Sequence, residues 1–88
     1  MNGWVVKYTK DAISDLSRLN KPDRTRIVTK IDWLKKNFDL VPHERLSGEL
    51  RGFYKLRVGP YRVIYSVDYG MRVIIVHKVG HRREIYKL

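Results

Sequence analysis

An 88-residue chain with 19 Lys and Arg against 9 Asp and Glu carries a net charge of +10, and its 43% hydrophobic content suffices for one modest core and no second one. It has no cysteine, which excludes a disulfide framework and a thiolate metal site and fits a reducing cytosol. So basic a surface points to nucleic acid or an acidic protein as partner.

Near the amino terminus the longest apolar run is Trp4-Val5-Val6, too short for a signal h-region or a membrane span. Residues 1–88 are therefore expected to form a single soluble, cytoplasmic domain with no membrane association. Trp4 to Tyr8 reads as a first strand. Thr9 is the expected N-cap of a helix with Asp11 in its first turn and an apolar face of Ala12, Ile13, Leu16 and Leu19. Asn20-Lys21-Pro22-Asp23 stops that helix and starts another, through a capping Asn, a first-turn proline and an early acid. The second helix runs to about Asn37, with Ile27, Ile31, Leu34 and Phe38 on one stripe.

From Asp39 to Arg51 no pattern is sustained, and the segment reads as a loop. Three strands follow, at 53–58, 61–68 and 72–79, joined by the hairpin-length connections Val58-Gly59-Pro60 and Asp68-Tyr69-Gly70. The expected fold is α+β: a two-layer sandwich of an N-terminal strand, a helical hairpin and a three-stranded antiparallel meander, with the helices on one face of a four-stranded sheet.

Alternation along the strands puts Tyr54, Leu56 and Val58 on one face and Phe53, Lys55 and Arg57 on the other. In the next strand Tyr61, Val63, Tyr65 and Val67 oppose Arg62, Ile64 and Ser66, so Lys55, Arg57 and Arg62 gather on an exposed cationic face. The last strand, with its run Val73-Ile74-Ile75-Val76, delivers Gly80-His81-Arg82-Arg83-Glu84-Ile85-Tyr86 to its own end, where cations and a phenol can meet a phosphate. Against this, basic residues on an open sheet face are common solvated surface. Arg72 and Lys78 look isolated, Tyr54, Tyr61 and Tyr65 read as packing residues, Trp4 and Trp33 as core or edge cover, and Glu44, Glu49 and Glu84 as scattered. His43, His77 and His81 have no metal-ligand spacing, so neither a metal nor a cofactor is expected.

The Leu46-to-Gly48 L-x-G, the stretch YKLRVGPYRVIY from Tyr54 to Tyr65, the apolar strand and VGHRREIY from Val79 to Tyr86 occur in one order and spacing. In that combination the chain resembles the RelE/ParE superfamily of type II toxin-antitoxin toxins, nearer its RelE branch. The resemblance covers essentially the whole chain. It implies a metal-independent endoribonuclease that cleaves mRNA in the ribosomal A site, with partners in the ribosome, the mRNA and a cognate antitoxin bound as a hetero-oligomer. It further implies catalytic roles for Lys55, Arg62, Arg82 or Arg83, and Tyr86, with Arg57 and His81 on the RNA. Phe53 stands where such toxins of the best-known type carry a lysine. The alternatives are a ParE-like, non-catalytic inhibitor of DNA gyrase and a basic RNA-binding module without activity.

Overall fold

The computed structural model describes residues 3–86. Its elements are β1 (Val5–Tyr8), α1 (Lys10–Ser17), α2 (Lys21–Lys36), β2 (Glu44–Arg45), β3 (Tyr54–Val58), β4 (Tyr61–Asp68) and β5 (Val73–His81), with short 3₁₀ turns at Phe38–Leu40 and Gly48–Leu50. Both helices start where the capping residues direct. The Thr9 hydroxyl accepts from the Ala12 amide at 3.1 Å, and the Asn20 side chain accepts from the Asp23 amide at 3.0 Å. Each cap satisfies a first-turn N–H that would otherwise lack a partner.

The α+β architecture is the expected one, but the sheet has five strands rather than four, in the order β1-β5-β4-β3-β2. The fifth is β2, only two residues long, inside the segment read as loop: Glu44 pairs Lys55 and Arg45 pairs Tyr54. Two residues are too few to show a period, so nothing in the local pattern announces them. β1 lies parallel to β5, whereas the β3-β4-β5 meander is antiparallel as expected. β5 also runs to His81, two residues past the expected end, so Gly80 and His81 belong to the strand and the terminal turn begins at Arg82.

The two helices cover one face. Ala12, Leu16, Ile27 and Ile31 pack with Val58, Val63, Val76 and Val79, while Trp4, Leu34 and Phe38 pack with Tyr65 and Ile74. Ile13, expected on the buried stripe of α1, is exposed, and so is Trp33, which lies under the Lys30 ammonium at 3.6 Å. The stripe of α2 is buried as expected. No helix among the described residues is long and apolar enough to cross a membrane.

The opposite face is organised by strand register. One row across the sheet reads Glu44, Lys55, Ile64, Lys78, and the next reads Arg57, Arg62, Gly80. A bulge between Ile64 and Tyr65 shifts the pairing from Lys78 to Val76 and leaves His77 as an extra residue. Val76 and Val79 consequently both enter the core although they are three apart, a spacing that strict alternation forbids.

Candidate nucleic-acid interface

Arg57 and Arg62 are direct register partners at the end of the β3-β4 hairpin, with Lys55 two residues back on the same face. The sequence pattern placed these three cations together, and the sheet does bring them together. Arg62 differs from expectation in being buried, at 9% exposure. Its Nη1 donates to the carbonyls of Gly59 at 2.9 Å and Tyr61 at 2.8 Å, clamping the turn in which Gly59 takes a φ of +57°. The guanidinium is thereby fixed in place, and its Nε and Nη2 are left as donors for an anion.

Above this row the terminal turn folds back onto the sheet. The Arg82 amide donates to the Pro60 carbonyl at 2.8 Å, and the Glu84 and Ile85 amides donate to the His81 carbonyl at 2.8 and 2.9 Å. Ile85 is the anchor. It is only 3% exposed, and a Cβ added to Gly80 would stand 3.1 Å from its Cδ1, so the glycine is what allows the turn to sit so close. The next residue, Tyr86, lies with its ring 5.7 Å from the Lys55 ammonium. Arg82 and Arg83 are both exposed in this turn.

His81 is placed differently. Its register partner is Tyr61, whose ring lies 5.9 Å away and whose hydroxyl donates to Asp23 of α2 at 2.9 Å. His81 thus stands on the helix side at the strand end, away from the row that holds Arg57 and Arg62. Lys78, read from sequence as isolated, belongs to the open-face row with Lys55.

Glu44 is the residue that sequence reasoning passed over. Its carboxylate accepts from Arg57 Nε at 3.1 Å and Nη2 at 3.0 Å, and it pairs with the Lys55 ammonium at 3.0 Å. The bidentate Arg57 hydrogen bonds first, and the Lys55 bond second, hold its carboxyl down from an ordinary 4.5 to about 2. An internal anion therefore occupies the place where these two cations would meet a phosphate. Glu44→Gln should tighten binding of a single-stranded RNA oligonucleotide about threefold and steepen its salt dependence, since the two cations no longer face a carboxylate. Unchanged affinity in a fluorescence-anisotropy titration would show that Glu44 does not compete. Because folding lowers the Glu44 proton affinity, the clamp's contribution is complete above about pH 4.5 and is lost as pH falls towards 2.

No group of three or more His, Cys, Asp or Glu among the described residues could hold a metal ion. The remaining histidine, His43, bridges the Tyr65 hydroxyl at 2.7 Å and the Phe38 carbonyl at 2.8 Å beneath the helices.

Residues 6–86 match the family of ParE toxins of type II toxin-antitoxin systems. The chain belongs to that family, within the RelE/ParE superfamily. A curated relative named RelE1, a toxin of Methanocaldococcus jannaschii, is 31% identical over an alignment 86 positions long that covers 93% of each chain. The toxin RelG of Mycobacterium tuberculosis is 28% identical over an alignment 87 positions long that covers 96% of this chain and 97% of its own. Among solved structures, the RelBE2 toxin-antitoxin complex of Mycobacterium tuberculosis contains a chain that superposes with a TM-score of 0.81 at 27% identity, over 91% of this toxin and 99% of that chain.

Proposed function

We propose that this toxin is a metal-independent endoribonuclease that cuts mRNA in the ribosomal A site and so arrests translation. The observation that carries the reading is the convergence of Lys55, Arg57, buried Arg62 and Tyr86 on one open face, with the ring of Tyr86 5.7 Å from the Lys55 ammonium. In such a reaction the ribose 2′-oxygen attacks the adjacent phosphorus, the 5′-oxygen leaves with a proton, and a 2′,3′-cyclic phosphate and a 5′-hydroxyl result. Arg57 and Arg62 supply fixed charge for the pentavalent intermediate, with Arg82 or Arg83 closing from the terminal turn. Lys55 handles the proton, and Tyr86 orients a base by stacking. RNA approaching this site must displace Glu44, which weakens the toxin against free RNA. Holding the strand in place on the ribosome offsets that cost.

The toxin of the RelBE2 complex is seen bound to an antitoxin, and the relatives named RelE1 and RelG support the same class. A cognate antitoxin that forms a hetero-oligomer with this chain follows, and a +10 surface suits an acidic segment of it. A second reading, inhibition of DNA gyrase, is favoured by the ParE description of the matching family. Primer extension on mRNA from cells expressing the toxin alone separates them. Discrete cuts inside translated frames support the nuclease, whereas arrest of DNA synthesis with intact mRNA and continuing translation rejects it for the gyrase inhibitor.

A further inference from the structure

We propose that a hollow on the open face beside Lys55 is a nucleobase subsite whose charged rim can satisfy any of the four bases. The hollow has a volume of about 280 Å³, and Asp11, Phe53, Ile64, His77, Lys78 and Ile85 are among its lining residues. The inference rests on the nuclease reading only for the strand to which the base belongs.

The hollow is built for a flat ring. Phe53 and His77 meet edge to face at 5.0 Å and 86°, forming an aromatic corner. The histidine is held from two directions: its Nε2 is hydrogen-bonded to the Ser66 hydroxyl at 2.7 Å, and its carbonyl accepts from the Thr9 hydroxyl at 3.2 Å. Burial lowers its proton affinity, so at neutral pH it is an aromatic wall rather than another cation. Ile64 and Ile85, at 5% and 3% exposure, supply the apolar floor although neither belongs to the core beneath the helices. Phe53 thus places a stacking surface where a lysine would have extended the phosphate site.

Position ties the hollow to the cations. Ile64 is the direct register partner of Lys55, which puts their side chains about 5 Å apart, close to the step from a phosphate to its own base. Ile85 precedes Tyr86, so the floor of the hollow and the phenol move as one turn. The rim supplies both hydrogen-bonding senses. The Asp11 carboxylate only accepts hydrogen bonds, and Lys78 only donates. Adenine, cytosine and guanine each offer an amino donor beside an acceptor, matching that pair. Uracil offers the same pair in its N3–H beside a carbonyl.

The test is an NMR titration of the purified toxin, selectively labelled at the isoleucine δ1 methyls, with AMP, CMP, GMP, UMP and inorganic phosphate in turn. All four nucleotides should shift Ile64 and Ile85. Inorganic phosphate should leave both methyls in place. Asp11→Asn, at an exposed position, should weaken binding of all four about threefold, the loss expected for one exposed hydrogen bond, and Phe53→Ala should abolish the methyl shifts. If every nucleotide behaves as inorganic phosphate does, the subsite is refuted. Nucleotide binding here without mRNA cuts in cells would instead overturn the nuclease reading and leave the base subsite standing.

Discussion

Arg62→Ala should abolish toxicity and also lower the melting temperature by about 10 °C, reflecting a loss of about 2 kcal/mol. Two causes act at one residue. The buried guanidinium holds the Gly59 and Tyr61 carbonyls, and its removal leaves both to find other partners. It is also a donor held in place by two backbone carbonyls, and deleting one preorganised donor to a developing oxyanion costs about 10²–10³-fold in rate. Arg57→Ala serves as the comparison, because Arg57 is exposed and bonded only to Glu44 among the described residues. It should reduce toxicity without a comparable thermal shift. Arg62→Lys keeps the charge but lacks the planar fork, and should restore little of either property. Growth assays without antitoxin, paired with thermal denaturation, provide the check. A destabilised Arg62→Ala toxin that still kills as the wild type does would reduce the residue to a hairpin clamp.

Ile85→Ala should disable the toxin while leaving most of its stability intact. The side chain does not belong to the core beneath the helices, and the thin cover it provides should place the loss near the lower end for such truncations, about 2 kcal/mol. Its loss releases the turn that carries Arg82, Arg83 and Tyr86, and a displacement of about 1 Å at a reacting centre costs about 10²-fold. Ile85→Val should keep the anchor and most of the activity. A fully toxic Ile85→Ala variant would mean that the terminal turn stays in place without it, or that its residues take no part.

Much of this was legible because local rules and tertiary packing agree. The caps at Thr9 and Asn20, the stripe of Ile27, Ile31 and Leu34, and the pairing of Arg57 with Arg62 all lie within one helix or one hairpin, where short-range geometry decides. What escaped depends on distant partners. β2 exists because β3 offers it an edge, and Glu44 gains its role only by lying opposite Lys55. The burial of Arg62 comes from its side chain turning back onto the hairpin carbonyls, which alternation cannot express. The bulge beside His77 resets the parity of β5, so that Lys78 joins the cationic face and His81 leaves it. Of the candidate site, strand alternation brought Lys55, Arg57 and Arg62 to one face, and the counter-anion between the first two emerged only from the folded sheet.

The parallel pairing of β1 with β5 bears on how such a chain can be made by the machinery its proposed activity would attack. Thr9 and His77, which the pairing brings into hydrogen-bond contact, are separated by 68 residues, and β5 lies between β1 and β4 in the sheet. Among the described strands, the one that bridges the first strand to the rest is the last to be synthesised. Until it emerges, β1 has no partner in the sheet, the turn carrying Tyr86 has no platform, and the long-range closure that links both ends cannot take place. Assembly of the full sheet, and with it the seat of the turn that carries Tyr86, therefore waits on the last of the described strands to be made.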